Sequence, residues 1–347
     1  MPNPPDRVTS WLSNPKIWFP VGLLIVAFSL GRLFSFSTTD EKKDQQHHEQ
    51  FQRNYQIYSL NLPENLRFAE EKVPLEKIDL RERFDRELLV NTYWQSQTLL
   101  FIKRANKWFP VIEPILAQNG VPDDFKYLSL IESGFQNVVS PAGAVGFWQF
   151  MKAAGRENDL EINEEVDERY HLEKATLAAC QYLTKAKEKF GSWTLAAASY
   201  NMGMPGLQKQ LNRQQVNNYY DLLLGTETSR YLFRILAVKE ILSNPNKYGF
   251  QFRSKDLYVP IATHKITVDT AISDLALFAR QQGINYKVLK LLNPWLRRTY
   301  LNNRSGKTYE IHLPQPGFAE QLMVEPVEWP EPTAEPDTAS NQKKKGP

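Results

Sequence analysis

The feature that most restricts the fold of this chain is a charged residue on the apolar side of a short predicted helix. Residues 123–133 are predicted to be helical, with Pro122 before the first turn and Gly134 as the stop signal. At about 100° per residue, one side of this helix collects the apolar side chains Phe125, Leu128 and Ile131. The opposite side collects Lys126, Ser129 and Ser133. The apolar side must pack against a core.

Glu132 belongs to that apolar side. Around the helix axis it lies about 20° from Phe125 and about 40° from Leu128. A glutamate is rarely buried without a partner or a purpose. It is therefore either a salt-bridged residue at the edge of a packed helix or a carboxyl group in apolar surroundings. In the second case it stays protonated to higher pH and can serve as a general acid.

The segments that follow combine tight turns with aromatic and amide side chains. In residues 140–151 a Pro and two Gly predict a turn, after which four large side chains surround Gln149. A helix of small residues then ends in Tyr200-Asn201 before Gly203, and another helix begins at residues 227–231. Aromatic rings and amides suit a sugar, which has apolar faces and a polar rim.

Four motifs stand in a fixed order: Glu132-Ser133, Gly146-Phe147-Trp148-Gln149-Phe150-Met151, Tyr200-Asn201-x-Gly203 and Glu227-Thr228-x-x-Tyr231. Together with Asp167-Glu168-Arg169, they resemble the lytic transglycosylases with a soluble-lytic-transglycosylase-type catalytic domain. The similarity is strongest to the membrane-bound lytic murein transglycosylase D type and covers roughly residues 56–247. The resemblance implies a mainly α protein with a lysozyme-like catalytic domain over residues 56–250. It also implies export to the bacterial cell envelope, with peptidoglycan glycan strands as the partner.

The resemblance implies Glu132 as the single catalytic acid and base. It implies substrate contacts for Ser133, Gln149, Tyr200, Asn201 and Tyr231. Glu132 would protonate the bond between N-acetylmuramic acid and N-acetylglucosamine, then accept the proton of the muramic 6-hydroxyl as a 1,6-anhydro ring closes. Ser133 has the alternative role of capping its own helix.

Four side-chain roles and two other functions stay open. Glu227 is expected to cap or pair rather than react, and Phe147, Trp148 and Phe150 fit either a core or a groove. A lysozyme-type hydrolase would share the fold and Glu132, and a non-catalytic peptidoglycan-binding scaffold would keep only the groove. A serine hydrolase built on Ser133 is excluded because the chain has no G-x-S-x-G elbow there.

The C-terminal part predicts a small α+β domain over residues 259–316. A strand at residues 266–268 precedes helices at 272–281 and 284–292, and a strand at 308–314 closes the unit. This order resembles a LysM domain, a binder of glycans that contain N-acetylglucosamine. Val268-Asp269-Thr270 stands where that family has a Gly-Asp-Thr turn, so a degenerate packing domain is the alternative.

The remaining segments predict a membrane-targeting region at the N-terminus and a disordered tail at the C-terminus. Residues 17–31 are apolar, and we expect residues 1–36 to form an uncleaved signal anchor in the cytoplasmic membrane, with the catalytic domain in the periplasm. A cleaved signal peptide is the alternative, although no small-x-small site follows. Residues 37–55 read as a polar linker, and residues 319–347 as a disordered tail.

Charge and ligand-type residues exclude several classes of partner. A net charge of +3 spread over the chain is not a nucleic-acid footprint. The lone Cys180 permits no disulfide within the chain and is expected to be buried. None of the five histidines shows local metal-ligand spacing, so the sequence predicts neither a metal nor another cofactor.

Overall fold

The computed structural model describes Gln46 and residues 57–317. The predicted anchor (residues 1–36) and tail (residues 319–347) lie outside the described residues, and so does the predicted linker (residues 37–55) apart from Gln46. Among the described residues, no helix combines the length and the apolar character that crossing a membrane requires.

Residues 60–257 share one hydrophobic core, and we call them the helical body. Its elements in chain order are β1 (Arg67–Phe68), β2 (Glu71–Lys72), α1 (Ile78–Tyr93), α2 (Gln95–Gln118), α3 (Phe125–Ser133), α4 (Lys152–Glu157), α5 (Leu172–Phe190), α6 (Trp193–Met202), α7 (Met204–Gln214) and α8 (Thr226–Ser243). The prediction of a mainly α protein is confirmed. Cys180 is buried on α5, as expected.

Helix α8 occupies the centre of the helical body. It packs against α1, α3 and α6, and Leu232, Phe233, Ile235 and Leu236 along it have no exposed surface. Burying one such side chain contributes about 1.5–3 kcal/mol to the free energy of folding. Because α8 contacts α3 directly, residues near its start are held against the helix that carries Glu132.

The β1–β2 hairpin fixes the ends of two helices. The amide of Ala69 and the ammonium of Lys239 both donate to Asp124, just before α3, at 2.7 and 2.6 Å. Glu71 accepts hydrogen bonds from the amides of Trp193 and Thr194 at the start of α6, at 2.7 and 3.0 Å. Glu71 thereby pairs amides that the start of α6 leaves without partners, whereas Asp124 links the hairpin and Lys239 of α8 to the start of α3.

Because a proline ring removes a backbone donor, the sequence around Pro110 and Pro114 predicts helix starts or breaks at these residues, and this prediction is wrong. Both lie inside the continuous helix α2. Each proline ring removes one backbone hydrogen bond, but both residues are exposed, so water can reach the carbonyls that lose their partners. The buried side of α2, which includes Phe101, Ile112 and Leu116, holds the helix together across these positions.

A second hydrophobic core is formed mainly by residues 263–314, which we call the C-terminal unit. It consists of β3 (Thr263–Val268), α9 (Leu275–Gln281), α10 (Tyr286–Leu292) and β4 (Tyr309–Pro314). The strands are antiparallel, with Thr263 opposite Pro314 and Val268 opposite Tyr309. The predicted order of strand, helix, helix and strand is confirmed.

Helix α9 begins three residues later than expected. Asp274 caps it by accepting hydrogen bonds from the amides of Ala276 and Leu277 at 2.6 and 3.2 Å. Ile272, the expected first residue, instead forms a β-bridge with Leu301. The helical pattern could not show this bridge, because Leu301 lies far along the chain.

The C-terminal unit contacts the segment between α4 and α5. Val166 forms a β-bridge with Leu296, and the amide of Arg297 donates to the Glu165 carbonyl at 2.7 Å. The Arg297 guanidinium lies 4.0 Å from the centre of the Tyr170 ring. Backbone pairing, apolar burial and cation–π contact together join this segment to the C-terminal unit.

Candidate active site

Glu132 is the one residue of α3 that is not buried. The helix begins at Phe125 and ends at Gly134, whose left-handed conformation (φ 60°) lets its amide donate to the Leu130 carbonyl at 2.8 Å. Every other side chain of α3 is enclosed, and only Glu132 keeps partial access to solvent. The carboxyl is thus set in a largely apolar wall with one open side.

The polar side of α3 does not face solvent, contrary to the sequence pattern. Ser129 and Ser133 are buried, and both hydroxyls donate to the backbone carbonyl of Phe147, at 3.1 and 2.9 Å. The loop of residues 140–151 therefore lies over this side of the helix. A helical pattern cannot show that a later loop covers the polar face.

The Tyr231 hydroxyl on α8 donates a hydrogen bond to Oε1 of Glu132. Burial raises the pKa of Glu132 above that of an ordinary glutamate, while the Tyr231 hydrogen bond and the positive charge of Arg234 oppose this rise. The negative charge of Glu227 adds to it. The net effect keeps Glu132 protonated to higher pH, as a general acid requires.

Tyr200 lies close enough to Glu132 for the carboxylate to affect its ionisation. Its hydroxyl donates to the carbonyl of Trp148 at 2.7 Å. Burial, reinforced by the Glu132 charge, raises the pKa of Tyr200 well above its usual range, and burial does the same for Tyr231. Both phenols consequently stay neutral and act as hydrogen-bond donors around the carboxyl.

Asn201 joins the end of α6 to the start of α8. The Thr228 hydroxyl donates to its side-chain oxygen at 2.8 Å, and its amide donates to Glu227 at 3.3 Å. Asn201 is followed by Met202 and Gly203, and Gly203 caps α6 with φ 77°. These bonds fix the polar end of Asn201 beside the first turn of the helix that carries Tyr231.

Gln149 is held by the backbone of its own loop. Its amide donates to the carbonyls of Gly146 and Val138, at 2.7 and 3.2 Å, and its backbone has the unusual φ of 48°. Gly146 has φ 79°, and a Cβ added there would lie 2.0 Å from the carbonyl oxygen of Arg169. Only glycine allows the loop this approach.

The buried ion pair between Arg169 and Asp167 also contacts the backbone of this loop. Arg169 binds Asp167 through two hydrogen bonds, at 2.9 and 2.7 Å, and donates to the carbonyl of Phe150 at 3.1 Å. A paired guanidinium with additional carbonyl acceptors is well satisfied in a buried position. The pair ties the loop that carries Gln149 to the segment contacted by the C-terminal unit.

The aromatic side chains of the loop belong to the core. Phe147, Trp148 and Phe150 are all buried, Trp148 completely. The Trp148 indole donates to the Thr176 hydroxyl at 2.9 Å, which satisfies the one polar atom that its burial would otherwise strand. The open alternative between core and groove is thus settled in favour of core.

Two segments of the chain match known protein families. Residues 110–222 match the family described as the Transglycosylase SLT domain. Residues 264–317 match the Soluble lytic transglycosylase C-terminal LysM-like domain.

The chain therefore carries an SLT domain and a LysM-like domain.

Two curated relatives agree with this assignment. The chain is 27% identical over 236 residues to the Membrane-bound lytic murein transglycosylase D of Escherichia coli strain K12, covering 66% of this chain and 50% of that protein. The protein of the same name from Escherichia coli O6:H1 gives the same values. The chain spans about half the length of the curated relatives it matches. The resemblance identified from the sequence motifs is confirmed.

The structure brings the predicted site residues together in two groups. The first group consists of Glu132, Tyr231 and Tyr200. Asn201 is connected to this group because its amide donates to Glu227, whose charge acts on Glu132. Ser133 instead joins α3 to the loop by donating to the Phe147 carbonyl, and Gln149 donates to the Gly146 carbonyl within the loop. The match to the SLT domain ends at residue 222, so Tyr231 reaches Glu132 from outside the matched segment.

Sequence reasoning missed two contributors to this site. Arg234 acts on the Glu132 charge, and its spacing of three residues from Tyr231 on a helix could have revealed it. The support of the loop by Arg169 could be found only from the structure, because it is made through backbone carbonyls. The sequence motif Asp167-Glu168-Arg169 marked the position but not the role.

The structure also brings together two histidines and a glutamate that are partly far apart in the sequence. His171 and Glu173 at the start of α5 meet His312 on β4 of the LysM-like domain, with one ligand-type atom from each within 4.8 Å of the others. The prediction of no metal rested on local spacing alone, and local spacing does not address ligands that the fold assembles.

Proposed function

We propose that the chain is a lytic transglycosylase that cleaves the β-1,4 bond between N-acetylmuramic acid and N-acetylglucosamine in peptidoglycan. The observation that supports this most is the setting of Glu132, a partly exposed carboxyl with a raised pKa that accepts a hydrogen bond from a neutral tyrosine. The SLT domain and the homology to the two Escherichia coli proteins support the same reaction class.

In the first step, protonated Glu132 donates its proton to the glycosidic oxygen as the bond to C1 of the muramic residue breaks. The substrate's own 2-acetamido group stabilises the positive charge that develops at C1. The Tyr231 hydrogen bond stabilises the carboxylate that Glu132 becomes, because a hydrogen bond to the charged form favours that form. A single protein carboxylate then suffices, unlike the pair that most glycosidases require.

In the second step, the Glu132 carboxylate accepts the proton of the muramic 6-hydroxyl. The 6-oxygen attacks C1 and closes the 1,6-anhydro ring, and Glu132 returns to its protonated state. No water is consumed, because the 6-oxygen of the same muramic residue replaces the leaving sugar at C1, so the reaction is an intramolecular transglycosylation (a lyase-type cleavage) and not a hydrolysis. The raised pKa serves both steps, because a group whose pKa lies closer to neutral pH can both give up and accept a proton there.

The other predicted residues take supporting roles in this proposal. Tyr200 and Asn201 line the cleavage position, and Tyr231 both contacts Glu132 and closes the wall formed by α8. Ser133 shapes the groove by holding the loop of residues 140–151 against α3, and Gln149 does so by fixing the conformation of that loop. Ser133 is in this way a positioning residue.

The proposal extends to location and to the LysM-like domain. We place the enzyme in the bacterial cell envelope, where peptidoglycan lies, with residues 1–36 as its anchor in the cytoplasmic membrane. The LysM-like domain adds a second contact to N-acetylglucosamine-containing strands. The LysM-like domain packs directly against residues 165–167 of the helical body. Both glycan contacts are therefore made by one connected unit.

The function is tested by release of soluble fragments from purified peptidoglycan by the full-length chain. Glu132→Gln keeps the shape of the side chain and its hydrogen-bond acceptor, and should lower the rate by at least about 100-fold. Glu188→Gln, a change of the same kind at an exposed position of α5, should leave the rate unchanged. Binding without release by the unsubstituted chain would instead identify a scaffold.

A separate variant addresses the lysozyme-type hydrolase. Glu227 is the second carboxylate whose charge reaches Glu132, so a two-carboxylate hydrolase would depend on it as base. In the proposed mechanism Glu227→Gln alters the pKa of Glu132 but removes no proton acceptor. Loss of activity as severe as in Glu132→Gln would favour the hydrolase.

A further inference from the structure

We propose that His171, Glu173 and His312 form a binding site for one divalent transition-metal ion, best matched to Zn²⁺, between α5 and β4. His171 directly precedes α5, Glu173 lies in its first turn, and His312 lies on the closing strand of the LysM-like domain. The ion would be bound by both domains at once. The inference is independent of the proposed peptidoglycan chemistry.

The donor set and its spacing carry the proposal. Two imidazoles and one carboxylate are a ligand set that zinc uses in proteins, and three protein ligands leave a fourth position for water. One ligand atom from each residue lies within 4.8 Å of the others, and Nε2 of His312 is 4.0 Å from Oε2 of Glu173. A tetrahedral ion with bonds near 2.1 Å needs separations of about 3.4 Å. Binding therefore requires the ligand atoms to move closer together by up to about 1.4 Å.

His312 gives an independent indication. Its Nε2 is buried without a hydrogen-bond partner, although a buried polar atom is rarely left unpaired. Its other nitrogen, Nδ1, lies 3.2 Å from the Thr263 hydroxyl. A hydrogen bond at one ring nitrogen is the usual way in which a protein orients a histidine whose other nitrogen binds a metal.

Both rings are in the protonation state that metal binding requires. Burial lowers the pKa of His171 to about 3, with the positive charges of Lys174 and Lys265 adding to the effect. Burial also lowers the pKa of His312. The His171 ring is stacked on Trp295, with ring centres 5.8 Å apart. The cluster therefore offers neutral imidazole lone pairs, one of them on a ring with little freedom to move.

Lys265 is the competing cation. Its ammonium group lies 2.7 Å from Oε2 of Glu173 and 3.1 Å from Oε2 of Glu310. A metal ion that takes Glu173 leaves Lys265 paired with Glu310, so no charge is stranded. About a third of the Glu173 side chain is exposed (32%), which gives the ion a path into the cluster.

The site is tested on the full-length chain in detergent after removal of metals with a chelator. Zn²⁺ is titrated against a chromophoric competitor, and Co²⁺ is used as a spectroscopic substitute. We expect one tightly bound equivalent of Zn²⁺, the intense visible bands of low-symmetry Co²⁺ coordination, and a Zn²⁺-dependent rise in Tm. His312→Gln and Glu173→Gln should each weaken binding by at least about 10-fold.

Two further variants make the outcome independent of folding. His264→Gln changes an exposed histidine on β3 outside the cluster and should bind Zn²⁺ as tightly as the unsubstituted chain. Lys265→Met removes the competing cation and should bind Zn²⁺ more tightly, a gain that misfolding cannot produce. Absence of a bound equivalent, or equal affinity in His312→Gln, Glu173→Gln and the unsubstituted chain, would overturn the site.

Discussion

The Tyr231 hydroxyl on α8 donates a hydrogen bond to Oε1 of Glu132 on α3, from a residue 99 positions further along the chain. Burial favours the neutral form of Glu132, whereas this hydrogen bond favours the charged form. The two opposing effects act on the same carboxyl, so the proton affinity of Glu132 depends on the contact between two helices. The proposed mechanism needs both protonation states in turn.

Removing the Tyr231 hydroxyl should make Glu132 harder to ionise. In Tyr231→Phe the pKa of Glu132 rises, because a hydrogen bond to the carboxylate is lost. A general acid works while protonated, so the alkaline limb of the kcat/KM profile on soluble glycan fragments should move to higher pH. Tyr258→Phe, at an exposed tyrosine, should leave the limb in place. A shift to lower pH in Tyr231→Phe would contradict the account.

Two neighbouring charges should move the same limb in opposite directions. Arg234 lowers the pKa of Glu132 and Glu227 raises it. Arg234→Gln should therefore shift the alkaline limb upward in pH, and Glu227→Gln should shift it downward. Both shifts should shrink at high salt, because partly exposed charges are screened. Shifts in one common direction would mean that the limb does not report Glu132.

Glu132→Gln should stabilise the protein at neutral and alkaline pH. The folded-state pKa of Glu132 is raised, so its favourable contribution to the free energy of unfolding is present at acid pH and lost as pH rises through the folded pKa. Replacing the charge should raise Tm at pH 8 by about 2–4 °C, equivalent to about 1 kcal/mol. The gain should vanish near pH 4. Thermal melts that show destabilisation at pH 8 would refute this.

Gly146→Ala should disrupt the loop more than Gly143→Ala does. Both glycines have positive φ, but a Cβ at Gly146 meets the Arg169 carbonyl at 2.0 Å, whereas one at Gly143 has no atom within 4 Å. We expect Gly143→Ala to cost about 1 kcal/mol of stability from backbone strain alone, and Gly146→Ala about 3 kcal/mol or more. Chemical denaturation measures both values. Equal losses would show that the contact with Arg169 relaxes freely.

Local patterns predicted the elements that local forces determine. The helix carrying Glu132 ends before Gly134 as predicted and begins at Phe125, two residues later than predicted. Helices α5, α6 and α8 follow their apolar spacing. The C-terminal strands and helices were placed in the right order for the same reason. Proximity of Glu132, Tyr200 and Tyr231 came from the family resemblance, since no spacing relates three separate helices.

The errors came from contacts distant in sequence. Ser129 and Ser133 were assigned to a polar face, yet the Phe147 carbonyl buries both. Pro110 and Pro114 were read as breaks, although the buried side of α2 maintains the helix. The sequence pattern does not show which loop will cover which face of a helix. Tertiary packing decided these positions against the local preference.

The central claim is most directly tested by mass spectrometry of the muropeptides that the full-length chain releases from purified peptidoglycan. We predict products ending in 1,6-anhydro-N-acetylmuramic acid, lighter than the hydrolysed products by the mass of one water. They should be absent with Glu132→Gln. Products with reducing ends from the unsubstituted chain, or anhydro products that persist undiminished in Glu132→Gln, would contradict the account.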